Sequence, residues 1–137
     1  MAEESKGWIA VDLDGTLAWY DDWETNEWKI GKQIPEMVAR VRRWVDEGRE
    51  VRILTARAGL TTARNDKDGQ SATVEYQQRQ VALIEAWCLH VFGMKFEVTA
   101  SKDFKMIEYW DDRCIQVVPN TGVPIREYLP TNIKEKI

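Results

Sequence analysis

Asp12 and Asp14 stand two residues apart where the apolar run Trp8-Ile9-Ala10-Val11 ends, and Gly15-Thr16-Leu17 follows them. Such a pair can hold a hard divalent cation such as Mg²⁺. One of its members can also act as a nucleophile while the other moves a proton. An unbroken apolar run reads as a strand buried on both faces, so its C-terminal end delivers polar groups to the edge where α/β proteins bind ligands. Three further polar clusters sit in comparable places. Thr55-Ala56-Arg57 ends the run Val51-Arg52-Ile53-Leu54, Lys102 precedes a later strand, and Asp111-Asp112-Arg113 closes that strand. Together they suit phosphoryl transfer. Carboxylates would hold Mg²⁺, one Asp would attack phosphorus to give an aspartyl phosphate, and a second Asp would serve as general acid and base. Thr, Arg and Lys donors would offset charge on the phosphoryl oxygens.

The elements that must position these groups are legible in outline. Pro35 suits the first position of a helix, Met37, Val38, Val41, Trp44 and Val45 fall on one face, and Gly48 supplies a stop. Val51 to Leu54 is the second strand. Ala58 to Gln70 reads as an irregular loop, and a long helix from about Ala72 to Phe92 follows, with Val81, Ile84, Trp87, Cys88 and Val91 as its buried stripe and Gly93 as its end. Phe96 to Thr99 is a third strand. Lys102 to Glu108 is expected to form a helical turn or two, Tyr109 to Asp111 a fourth strand and Cys114 to Val118 a fifth, before a turn at Pro119-Asn120-Thr121-Gly122. Strands alternating with helices predict an α/β three-layer sandwich with a mostly parallel, Rossmann-like sheet and right-handed crossovers. Between the first strand and the first helix, Ala18 to Gln33 is dense in aromatics and acids, without a clear period. It reads as a loop or small flap over the strand ends.

The chain of 137 residues with 44% hydrophobic content has the length of one domain, residues 1 to 137, able to bury a core unaided by disulfides. Its formal net charge of -4 argues against a whole-surface grip on nucleic acid or on an anionic membrane. Cys88 and Cys114 are too few for a disulfide framework, and Met1 to Gly7 has no apolar signal core. A cytoplasmic, soluble protein with no membrane partner is expected.

Asp12-Leu13-Asp14-Gly15-Thr16, then Thr55, then Lys102, then Asp111-Asp112 resembles the four sequence motifs of the haloacid dehalogenase superfamily of phosphatases, in their order. The resemblance implies a HAD-like fold and a Mg²⁺-dependent phosphomonoester hydrolase. In it Asp12 would be nucleophile and metal ligand, and Asp14 acid/base and a ligand through its backbone carbonyl. Thr55, Ala56 and Arg57 would bind the phosphate, Lys102 would stabilise the aspartyl phosphate, and Asp111 with Asp112 would complete the metal site. Thr55 to Arg57 and Asp111 to Arg113 are also similar to the phosphatase domain of phage polynucleotide kinase and related small phage hydrolases. Members of the superfamily often carry Lys-Pro at the third motif; this chain has Lys102-Asp103, so Lys105 is a rival for that role. The insertions are too short for a full cap domain, which leaves a capless site or one with a minimal flap.

Other readings of the same residues stand beside this one. Asp112 can be a ligand or a partner of the ligands, and Arg57 and Arg113 can be ion-pair partners of the acids instead of phosphate ligands. His90 reads as an ordinary helix-end residue, and both cysteines as core. Trp19, Tyr20, Trp23 and Trp28 can stack on a base or pack the flap onto the sheet. The acids among them oppose a long nucleic-acid track, while Arg64 and Lys67 in the second loop could add positive charge. The expected partner is a phosphorylated small molecule, such as a nucleotide, or a nucleic-acid 3′ end. The alternative class is a non-catalytic protein that binds phosphate or metal on this fold.

Overall fold

Four short strands among the described residues join one parallel sheet. The computed structural model describes residues 6–59 and 74–125. Strand β1 is Trp8–Val11, β2 Glu50–Leu54, β3 Glu97–Thr99 and β4 Met106–Trp110, in the spatial order β3-β2-β1-β4. Helix α1 is Trp23–Asn26, α2 is Pro35–Asp46 and α3 is Val74–Phe92. The fold is α/β with a Rossmann-like, all-parallel sheet, as the alternation of elements predicts.

β1 lies inside the sheet, paired with β2 and β4, and all four of its residues are buried. Ile9 and Val11 share one core with Val51 and Ile53 of β2, Met37, Val38, Val41 and Trp44 of α2, and Ile84, Cys88 and Val91 of α3. Each such aliphatic side chain contributes about 1.5–3 kcal/mol on full burial. Both helices therefore cover one face. Successive right-handed crossovers running β1 to β2 to β3 in one direction must place them there. Trp8 and Ala10 point to the other face, where they pack with Leu54 and Met106.

From β3 the chain must return past β2 and β1 to reach β4, and it crosses on that second face. Asp103 accepts a hydrogen bond from Trp8 Nε1 at 2.9 Å, and Lys105 O accepts one from Trp8 N at 2.7 Å. Two expectations are corrected here. Lys102 to Glu108 forms no helical turn: the chain is extended across the sheet, turns at 104–105 and enters β4 at Met106. Cys114 to Val118 is not a fifth strand. The chain folds back on itself instead, with Val118 N donating to Val123 O and Ile125 N to Gln116 O, both at 2.8 Å, around Asn120 and Gly122 at positive φ. Only three residues follow β4 before Cys114, too few for the crossover that a further parallel strand needs. Cys114 is accordingly exposed, while Cys88 is buried in the core with its thiol pushed up to about 12 by burial.

Helix α2 begins at Pro35 and gives way to Glu47 and Gly48, the latter at φ 80°, as its stop signal predicts. Gly93, at φ 77°, ends α3. The start placed at Ala72, most of the loop Ala58 to Gln70, and Arg64 and Lys67 lie outside the described residues. No described helix is long and apolar enough to cross a membrane.

Candidate metal and phosphate site

Strand order determines what meets at the C-terminal edge. The connection from β1 leads to β2 on one side while β4 lies on the other, so the order reverses between β1 and β4. In open α/β sheets that reversal opens the crevice where ligands bind. The register Val11↔Trp110 brings the residues just after β1 opposite those just after β4, and Asp12 N donates to Trp110 O at 2.9 Å. Asp12, Asp111 and Asp112 consequently converge, each offering a carboxylate oxygen within 4.8 Å of the others.

The cluster is tied across the crevice by Thr16. Its hydroxyl lies 3.3 Å from Asp12 Oδ2 and 3.4 Å from Asp112 Oδ1, and it accepts the Asp112 N–H at 3.1 Å. Asp111 Oδ1 accepts the Arg113 N–H at 2.7 Å, and its Oδ2 accepts the Tyr109 hydroxyl. Burial, the nearby charge of Asp111 and Asp112, a hydrogen bond with Asp112 and the more distant Asp14 together push Asp12 up to about 8. Asp12 is half-buried beside two further carboxylates, so a proton or a cation would offset its charge. All donors are hard carboxylate oxygens. Around an octahedral Mg²⁺ with metal–oxygen distances near 2.1 Å, adjacent oxygens lie about 3.0 Å apart and opposite ones about 4.2 Å, so the three carboxylates would draw together on such an ion.

Gly15 makes this approach possible. It has φ +91°, and a Cβ there would lie 2.6 Å from Asp112 Oδ2. Gly15→Ala is expected to displace Asp112, to raise the Mg²⁺ concentration needed for half-maximal thermal stabilisation several-fold, and to cost about 1 kcal/mol or more through the strained φ. A variant with wild-type metal response and melting temperature would show that the approach imposes no such constraint.

Asp14 has a different environment. Its carboxylate is gripped by Arg57, Nε to Oδ2 at 2.8 Å and Nη2 to Oδ1 at 3.0 Å. Arg57 also donates from Nη1 to Glu27 O and to Gln80 Oε1, both at 2.9 Å, and from Nη2 to Asn26 O at 2.7 Å. Its side chain is 2% exposed and rests against the Trp23 ring at 4.9 Å. A guanidinium has five N–H donors, and all five are spent. The expectation that Arg57 binds the phosphate is therefore corrected: no donor remains for a ligand, and the residue holds Asp14. Arg113 has no ion-pair partner among the described residues.

Thr55 is buried and caps the 3₁₀ turn Ala56–Ala58, its Oγ1 accepting the Arg57 N–H at 3.1 Å. Among the described residues nothing accepts the Thr55 hydroxyl proton or the Ala56 N–H. Just past the end of β2, which pairs with β1, both donors stand at the same edge as Asp12.

Lys102 makes no ion pair or hydrogen bond with any acid among the described residues. It stands three residues beyond Thr99, whose carbonyl accepts the Thr55 N–H at 2.9 Å, near the carboxylate edge. Lys105 is at the opposite edge, its carbonyl on Trp8 N at the start of β1. Of the two rivals, topology favours Lys102.

The segment from Ala18 to Gln33 is a flap with a paired neck. Trp19 N donates to Lys32 O and Ile34 N to Leu17 O, both at 2.8 Å. Asp22 caps α1 by accepting the Thr25 N–H at 2.8 Å, which holds its carboxyl below the usual range. The aromatic residues divide. Trp23 packs inward on Arg57, Trp19 is exposed under Lys32, and Trp28 meets Tyr76 edge-on beside Arg79, in a shallow groove that none of the aspartates lines. His90 is exposed at the end of α3, as expected.

Gln80 escapes sequence reasoning. It is 0% exposed, accepts from Arg57 and donates from Nε2 to Glu27 O at 2.8 Å. The buried stripe of α3 runs Tyr76, Gln80, Ile84, Cys88 and Val91, with Val81 and Trp87 only half-buried. Its signal was spacing: Gln80 lies four residues before Ile84, on the face that must be buried.

No family model matches the chain, and no curated protein matches it. A solved structure of a conserved protein from Bacteroides thetaiotaomicron is similar: it is 21% identical, the match covers 85% of this chain and 84% of that one, and the TM-score is 0.51. At that identity the likeness speaks to the fold alone.

Proposed function

We propose that this chain is a Mg²⁺-dependent phosphomonoester hydrolase of the haloacid dehalogenase type, working through an aspartyl phosphate on Asp12. The observation that carries the reading is the convergence of Asp12, Asp111 and Asp112 at the switch point, beside the donors of Thr55 and Ala56 just past the end of the next strand. Asp12 would attack phosphorus and the leaving oxygen would depart with a proton from Asp14. Water would then attack the phosphorus, passing a proton to Asp14 and releasing phosphate from Asp12. The Thr55 hydroxyl and the Ala56 N–H would hold nonbridging oxygens, and Lys102 would offset their charge. Mg²⁺ held by Asp12, Asp111, Asp112 and the Asp14 carbonyl would supply the positive charge that lets substrate and carboxylates approach. The minimal flap suits a nucleotide or a nucleic-acid 3′ phosphate as substrate.

The competing reading is a protein that binds phosphate or metal without turnover. It draws on two observations: both Asp14 oxygens are engaged by Arg57, and Lys102 touches no acid among the described residues. Hydrolysis of an aryl phosphate with and without Mg²⁺, followed by a panel of nucleoside 5′ and 3′ monophosphates and 3′-phosphorylated oligonucleotides, separates the two. Metal-dependent turnover that disappears in Asp12→Asn is expected. A full panel without turnover would favour the binding protein. In the same assay Lys102→Ala is expected to lower kcat about a hundredfold, in the range of one lost electrostatic donor, and Lys105→Ala to leave it near wild type. The reverse order would reassign the lysine.

A further inference from the structure

Gln80 sits outside every motif, yet it is a fully buried amide whose two ends reach two different parts of the site. Its Oε1 accepts from Arg57 Nη1, and its Nε2 donates to the carbonyl of Glu27 in the flap. Arg57 takes the same Glu27 carbonyl and the Asn26 carbonyl, while its other edge grips Asp14. A helix on the core side of the sheet, the flap and the second aspartate of the first motif therefore meet on one guanidinium. Asn26 strengthens the flap end, its own side chain accepting from Asp21 N and donating to Lys29 O, both at 2.9 Å.

We infer that Gln80 is a positioning residue: through Arg57 it fixes the Asp14 carboxylate and the seat of the flap as one unit. Of the five acceptors around Arg57, the Gln80 amide oxygen is the only one on α3, so it sets how far the guanidinium reaches toward Asp14. It is also the only group of α3 among the described contacts that donates to the Glu27 carbonyl. Loss of the amide takes the α3 contact from both at once, since Gln80 holds Arg57 Nη1 through Oε1 and the Glu27 carbonyl through Nε2, while the Tyr76 hydroxyl still reaches the Glu27 carboxylate. The part of this inference that concerns turnover rests on the phosphatase reading; the coupling itself does not.

A double-mutant cycle with Gln80→Leu and Asp14→Asn on the unfolding equilibrium of the full chain tests the coupling without any activity. The two side chains share no contact, so an ordinary packing role would give additive effects, whereas the shared guanidinium is expected to give at least fivefold non-additivity in the folded-to-unfolded ratio. Hydrogen exchange gives a second readout. In Gln80→Leu, amides of residues 19 to 32 are expected to exchange at least tenfold faster while β1 and β2 keep wild-type protection. If Gln80→Leu does not fold, Gln80→Asn, which keeps the amide but shortens its reach, is expected to show the same selective loss in the flap. Should the wild type hydrolyse an aryl phosphate, kcat of Gln80→Leu is expected to drop about tenfold with KM and half-saturating Mg²⁺ within twofold. Additive effects in the cycle, or flap and core exchange accelerating together, would overturn the inference. Strong coupling in a chain with no turnover would keep the positioning role and discard the phosphatase.

Discussion

Replacing Asp12 by Asn is expected to abolish Mg²⁺-dependent turnover and, in the same metal-free protein at pH 8, to raise its stability by roughly 2–4 kcal/mol. The two effects share one cause. Burial and the neighbouring acids Asp111 and Asp112 lift Asp12 from 3.8 to about 8. Below pH 4 the group is protonated in folded and unfolded chains alike, so it contributes no difference. Between about pH 4 and 8 the folded chain holds a proton that the unfolded chain has released, and stability declines as pH rises. Above 8 both states are ionised and the full penalty remains. An Asn carries no charge at any of these pH values, so the gain of the variant over wild type should grow from near zero at pH 4 to its maximum at pH 8. Added Mg²⁺ is expected to remove the weakness of the wild type at high pH, and to do little for Asp12→Asn. Thermal unfolding in chelator from pH 4.5 to 8.5, repeated with Mg²⁺, reads both. Parallel stability curves for the two proteins would mean that Asp12 does not carry this strain.

Arg57 is expected to be the costliest single side chain to change. Removing one partner of a buried ion pair costs about 3–5 kcal/mol, and here the loss would also leave Gln80 Oε1 without its donor and take one donor from each of the Asn26 and Glu27 carbonyls. Arg57→Met is therefore expected to lower the melting temperature by roughly 10 °C or more, by the usual conversion for a chain of this size. Arg57→Lys keeps the charge but offers three donors to five acceptors and no planar fork, so it is expected to recover less than half of that loss. Chemical unfolding of both variants provides the check. A lysine variant as stable as wild type would show that charge alone, and not the array of bonds, holds Asp14 and the flap.

Much of this was readable in the chain, for local reasons. Asp12, Thr55 and Asp111 each follow a mostly apolar run, and β1, buried along its whole length, can place a polar residue only at its end. Pro35 and Gly48 mark their helix because a missing N–H and a positive φ are properties of single residues. The misreadings arose where neighbours far along the chain decide. Lys102 to Glu108 reads as a helical turn or two, yet these residues belong to a crossing segment and an edge strand. Phe104 is fully exposed there. Arg57 reads from the sequence as a phosphate ligand or an ion-pair partner, and the structure makes it the partner of Asp14. Its acceptors come from the flap, from α3 and from Asp14, 43 residues away in the chain.

By itself the sequence determined the residue types at each strand end, the alternation that makes a parallel α/β sheet, and hence an acidic edge. Only the tertiary structure decided which of those ends are neighbours. Placing β4 beside β1 is what joins Asp111 and Asp112 to Asp12 and separates Lys105 from them. Burial of Gln80 turned Arg57 away from the crevice and onto Asp14. Periodicity reports which face of an element is buried. Strand order and side-chain partners depend on contacts between distant segments, and no local pattern encodes them.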